Sequence, residues 1–185
     1  MHVSGNFFQP ISAGVSDYYF SHIPHIWGWA TWRRSWEKYN LKMDGYQEFI
    51  KDKKLNKIFK NKKEKILWKH LFDQVFYEKS DTWDFQWTYA LFLNGGLSVT
   101  PNVNLVRNIG FGDLAENCKD VKDKFANLQT REMDFPLSHP DTISANEEAD
   151  LYVSMNNFGF TRLKYILIKL GLFDAFQKIY RKIKK

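Results

Sequence analysis

One cysteine, Cys118, stands among the 185 residues, and a single thiol closes no internal disulfide and supplies no cysteine-based zinc site. A reducing compartment is the simpler expectation. Long apolar runs are lacking too: no stretch reaches the ~18 apolar residues of a membrane span. The opening Met1-His2-Val3-Ser4-Gly5-Asn6 has neither the basic n-region nor the apolar run of a signal peptide. These absences predict a soluble or surface-bound protein of the cytoplasm. No internal repeat is visible. What the chain does have is aromatic side chains, 17% of its residues, within a hydrophobic share of 44%. That is ample for the packed core of one ordinary domain, and it excludes a disordered chain.

Charge is unevenly spread. The net +6 is concentrated in two stretches. Lys51, Lys53, Lys54, Lys57, Lys60, Lys62, Lys63, Lys65 and Lys69 face only Asp52 and Glu64. The tail carries Arg162, Lys164, Lys169, Lys178, Arg181, Lys182, Lys184 and Lys185 against Asp174. Basic faces attract nucleic acid, anionic lipid or phosphorylated sugar donors, although most lysine-rich helices are simply solvated.

Periodicity orders the rest. About twenty loop-like residues open the chain, with a short strand at Asp17–Ser21 before Pro24. Trp29, Trp32, Trp36 and Tyr39 have the spacing of a helical apolar stripe, which predicts a helix over Trp29–Tyr39. Further helices are expected near Tyr46–Asp52, over Lys62–Glu78 and from Trp83 to Leu93, the last stopped by Asn94-Gly95-Gly96. Leu97–Pro101 and Val103–Val106 read as strands. From Gly112 to Pro140 the sequence is polar and poorly periodic, predicting a long loop with one helix near Lys122–Leu128. Asn146–Asn156 reads as a helix. Thr161–Lys184 reads as an amphipathic one interrupted by Gly171, suited to its own domain or to a membrane interface. The expected division is 1–145 followed by a basic, amphipathic extension over 146–185.

Trp83-Asp84-Phe85-Gln86-Trp87 places one carboxylate between two indoles at the start of a helix. Indole faces stack on the apolar side of a pyranose, and an ionised Asp can accept a proton from an attacking hydroxyl. The plainer alternative has Asp81 or Thr82 capping the helix and both Trp in the core. Gly28 allows close backbone approach beside Trp27 and Trp29, as an acceptor platform or as a tight turn into the next element. His22 and His25 are separated by Pro24, an unpromising metal pair.

The order of segments is more telling than any one of them. Tyr18-Tyr19-Phe20-Ser21, His25-Ile26-Trp27-Gly28-Trp29-Ala30-Thr31-Trp32-Arg33, Thr82-Trp83-Asp84-Phe85-Gln86-Trp87 and Pro101–Gly112 follow one another. Over Ser4 to Pro140 they resemble the C-terminal half of bacterial GT-A-type glycosyltransferases, the family 2-like or haemolytic-protein-like group of surface-polysaccharide and lipopolysaccharide assembly. A more distant similarity is to the animal N-acetylglucosaminyltransferase I group. The resemblance implies a helix-rich α/β chain with short strands, the acceptor-side half of a GT-A fold without its N-terminal Rossmann-like half. It implies a nucleotide-sugar donor and a glycan or lipid-linked acceptor, with Asp84 as catalytic base. Trp27, Gly28, Trp29, Trp83 and Trp87 would form the acceptor site. Arg107, Asn108 and Phe111 would hold the donor diphosphate or close a loop over it, guanidinium being suited to phosphate.

Transfer with inversion is a single displacement for which one carboxylate suffices. Double displacement on hydrolase lines would need a second about 5 Å away, and inverting hydrolysis one roughly 6.5–9.5 Å away. The family also holds a divalent cation, Mn or Mg, on an Asp-x-Asp motif. This sequence has none: Glu132-Met133-Asp134 and Glu148-Ala149-Asp150 lie downstream of where the family places its metal, and His139 is only a weak candidate ligand. Because His2–Phe7 resembles family sequence after the metal-binding strand, the expectation is a truncated chain, inactive alone and placed in the cytoplasm or peripherally on the inner face of the membrane. Two other classes stay open, a non-catalytic carbohydrate- or lipid-carrier-binding module and a basic nucleic-acid-binding protein. Nucleic acid is not the expected partner, since the seven Trp lie mostly outside the lysine-rich run.

Overall fold

The structure is a computed structural model that describes residues 1–10, 13–78, 80, 82–112 and 123–183. It is mixed α/β. The elements are β1 (His2–Val3), β2 (Tyr18–Ser21), β3 (Ala30–Thr31), α1 (Arg33–Trp36), α2 (Tyr46–Lys51), α3 (Leu55–Ile58), α4 (Lys62–Phe76), α5 (Asp84–Leu93), β4 (Ser98–Pro101), α6 (Glu147–Asn157), α7 (Arg162–Lys169) and α8 (Phe173–Ile183). They divide into two compact units, Met1–Tyr39 with Ala90–Asp150, and Asn40–Tyr89 with Leu151–Lys185. This corrects the expected boundary at 145. The tail is no separate extension, because its helices pack with Asn40–Tyr89.

The first unit holds one mixed sheet in the order β2-β4-β1-β3. β1 runs parallel to β4, with His2 opposite Ser98, and antiparallel to β3, with Val3 opposite Ala30. β2 pairs antiparallel with β4 from Tyr18 opposite Pro101 to Ser21 opposite Ser98. β1 and β3 are two residues each, too short to show an alternation. They also correct the helix expected over Trp29–Tyr39. Ala30 and Thr31 enter the ladder, Thr31 Oγ1 donates to Met1 O at 2.6 Å, and Trp32 is extended, so the helix is the single turn of α1. The strand expected at Val103–Val106 is absent too. Asn104 spends its side chain on backbone groups of three segments, accepting from Phe7 N and donating to Val106 O and Gln129 O, which gives a pinned loop in place of a ladder. Around Phe125 a turn stands where a helix was expected, its Asp123 carboxylate accepting from Phe125 N.

The second unit is helical and aromatic. Asn61 caps α4 by accepting from Lys63 N at 2.8 Å. The buried face of α4, Leu67, Trp68, Phe72 and Val75, shares a core with Tyr46 and Phe49 of α2 and Leu55 of α3. Phe59 stacks on Trp68, and Tyr46 meets both Phe72 and Tyr89 edge-on. Trp68 Nε1 donates to Ser154 Oγ, which donates to the buried Glu64 carboxylate. α3 was not foreseen, since a four-residue helix carries too little period to read. α7 and α8 are separated at Gly171, whose φ of 70° supports the closing pair Leu172 N to Leu167 O and Gly171 N to Ile168 O.

Candidate functional site

The predicted site residues fall into both units. In the second, Asp84 is the first residue of α5 and half-buried. The Thr82 hydroxyl donates to its Oδ1, and Thr88 Oγ1 donates to its backbone carbonyl at 2.9 Å. Trp83, just before the helix, is 40% exposed, whereas Trp87 is 0% exposed. The pair is therefore split by function. Trp83 presents indole surface to solvent, and Trp87 is a core residue with no face on which a sugar could stack, which corrects its assignment to an acceptor wall. Residues four apart share a helix side only inside a helix, and Trp83 stands outside the first turn. Asp81 lies outside the described residues.

In the first unit the residues separate into two settings. Trp29 stacks on the buried His2 ring at 5.2 Å between centroids and tilts against Trp36 at 5.9 Å. Gly28 has φ +55°, and a Cβ there would lie 2.4 Å from Val106 Cγ1, while a Cβ on Gly5 would lie 2.6 Å from Gly28 O. The absent side chain at Gly28 is thus filled by Val106. The close approach is protein on protein, which corrects the reading of Gly28 as room for a ligand.

Trp27 lies elsewhere. Its ring meets Phe8 at 5.2 Å, Phe111 at 5.9 Å and Phe125 at 6.2 Å, all edge-on, and Phe8 meets Phe125 at 4.6 Å. All four are only partly buried, and Lys124 Nζ sits 4.5 Å from the Phe125 centroid. Trp27 and Phe111, predicted for opposite sides of the reaction, are one aromatic cluster here. Phe8 and Phe125 were not foreseen. One lies in the opening loop and the other in the segment read as a helix, and neither carries a periodic signal. Arg107 is exposed nearby in the chain, and Asn108 accepts from Gly110 N at 2.8 Å, closing a local turn.

Buried polar groups of the first unit serve the fold. His2 Nε2 lies 2.9 Å from His25 O and 3.1 Å from Ser4 Oγ, and Ser4 Oγ accepts from His25 N. Burial pushes the His2 imidazole down to about 4 and that of His25 down to about 3. Asp150, 2% exposed, accepts from Ser21 Oγ at 2.5 Å and His22 N at 3.0 Å, and pairs with His22 Nδ1 at 2.9 Å. Both side chains turn to the carboxylate, so this Ser, His and Asp set clamps the end of β2 rather than aligning imidazole on hydroxyl. His139 Nδ1 lies 2.9 Å from the Tyr18 hydroxyl.

Among the described residues no group of three or more His, Cys, Asp or Glu side chains could hold a metal ion. His139 is a partner of Tyr18. No described helix is long and apolar enough to cross a membrane. No protein-family model, curated protein or solved structure matches this chain.

Proposed function

We propose that the protein is a nucleotide-sugar-dependent glycosyltransferase of surface-polysaccharide or lipopolysaccharide assembly, inverting at the anomeric carbon, with Asp84 as its base. One observation carries the reading: a half-buried carboxylate opens α5, oriented by the Thr82 hydroxyl and next in sequence to the half-exposed Trp83. The acceptor hydroxyl gives its proton to Asp84 as its oxygen bonds to the anomeric carbon, and the bond to the nucleoside diphosphate breaks on the opposite face. Trp83 offers the sugar ring an apolar surface, and Thr82 is a positioning residue. On this reading the donor is a nucleotide-sugar, the acceptor a glycan or lipid-linked glycan, and the place of work the cytoplasmic face of the membrane. A GT-A architecture belongs to the same proposal.

The resemblance implies a chain inactive alone, so the test is nucleoside diphosphate release, from a panel of nucleotide sugars with oligosaccharide acceptors, by the chain joined to a GT-A nucleotide-binding half. Asp84→Asn should lower the rate ~10²-fold or more while acceptor binding, read by tryptophan fluorescence, is retained. An unchanged rate removes Asp84 from the chemistry. The cluster of Phe8, Trp27, Phe111 and Phe125 favours one second reading, a carbohydrate-binding module without turnover. In that case Trp27→Ala abolishes sugar binding, Asp84→Asn leaves it intact, and no donor is consumed.

A further inference from the structure

α7 and α8 bury little of what their sequences offer for burial. Leu163, Ile166 and Leu170 recur at the spacing of one helix side and are all exposed, and so are Leu172 and, on α8, Phe176, Ile179 and Tyr180, at 42% to 62%. Phe176 and Tyr180, one turn apart, stack with their rings nearly parallel at 6.3 Å. Phe173 of α8 turns inward, edge-on to the buried His70 at 4.8 Å. The second unit thus ends in two helices whose apolar sides are left to solvent.

Charge says what covers them. Arg162, Lys169, Lys178 and Lys182 are exposed, while the lone acid of the tail, Asp174, accepts from Gln74 at 3.2 Å. Lys164 is spent internally, donating to Phe158 O at 3.1 Å beside the Phe173 ring, and burial lowers its pKa. Beside the start of α7 a cavity of about 370 Å³ has Lys63 and Arg162 in its lining with Phe160, Tyr165 and Ile166. Cations over an apolar lining suit an anionic headgroup. No described helix can span a bilayer, which leaves the interfacial mode, apolar side down and basic side chains at the phosphates.

We infer that α7 and α8 dock the protein on an anionic lipid surface, their exposed leucine, isoleucine and aromatic side chains entering the headgroup boundary. The inference stands on residues outside the Asp84 site and does not depend on the activity proposed there. It is tested by co-sedimentation of the full chain with vesicles of phosphatidylcholine alone and with about a third phosphatidylglycerol. The chain should bind the anionic vesicles and release as salt is raised, with binding to neutral vesicles weaker by about tenfold or more. Leu170→Glu with Ile179→Glu should weaken anionic binding by at least about tenfold, and Lys178→Glu with Lys182→Glu by a similar factor. All four positions are exposed, so circular dichroism should be unchanged. Absence of binding at low salt, or binding that survives both double variants, overturns the inference. So does a dimer in light scattering that Ile179→Glu dissolves in a chain that ignores vesicles, because the stripe then joins two copies. Preference for single-stranded nucleic acid over anionic vesicles at physiological salt overturns it as well.

Discussion

Two aspartates at helix starts are put to opposite uses. Asp84 is half-buried with Thr82 as its hydroxyl partner, whereas Asp150 is almost wholly enclosed and gathers Ser21 Oγ, His22 N and His22 Nδ1 around one carboxylate. Enclosure makes the second one structural. Removing it leaves a hydroxyl, an amide and an imidazole facing a cavity, and breaking a buried set of this kind costs about 3 kcal/mol or more. Asp150→Ala should therefore lower the unfolding free energy in urea by about that amount. Glu148→Ala, exposed in the same helix, should stay within about 0.5 kcal/mol. Equal effects would mean that the carboxylate is not holding β2. The sequence shows Asp150 only as half of an acid-x-acid triplet. Its partners lie 128 and 129 positions away, a separation no local pattern encodes.

At the scale of elements, what could be read was what repeats. α4, α5, α6, α7 and α8 run long enough for their composition, spacing and end signals to mark them as helices, and their observed limits lie within one or two residues of expectation. Asn94-Gly95-Gly96 ends α5 as expected, with Gly95 at φ 61° and Gly96 N bonded to Leu91 O at 2.8 Å. The aromatic spacing of Trp29, Trp32, Trp36 and Tyr39 misled because Trp32 and Trp36 are exposed and Trp36 stacks on Tyr39 at 4.7 Å instead of lining a core. Spacing reports a period, not its cause. α5 supplies the matching test. Trp87→Ala empties a fully enclosed site and should cost about 3–5 kcal/mol, while Trp83→Ala, half-exposed before the helix, should cost less than about 1 kcal/mol in urea unfolding. On the proposed function the ranking reverses for sugar binding, where Trp83 matters and Trp87 acts only through the fold.

For the whole molecule, the candidate site was legible as residue types and not as groupings. Trp27 and Phe111 share a cluster with Phe8 and Phe125, Trp29 belongs with His2, and Gly28 with Gly5 and Val106, because tertiary packing sorted neighbours in sequence to different surroundings. His2 and His25 are the clearest case. Five histidines in a chain of net charge +6 look like a reserve of further positive charge at mild acidity, yet burial holds these two neutral. Their imidazoles sit at about 4 and about 3 in the folded protein against 6.5 when exposed. The unfolded chain therefore binds more protons once pH drops below 6.5. Stability is complete above that value and is lost as pH falls toward 4 and then 3, at up to about 1.4 kcal/mol per pH unit for each ring. Self-repulsion of a chain growing more basic adds to the loss. The two contributions separate in His25→Phe, which keeps a ring against Phe8 and removes the titration. Urea unfolding between about pH 7 and pH 5 should show a slope reduced by roughly half in that variant. An unchanged slope would assign the acid sensitivity to net charge alone and leave the buried pair with no part in it.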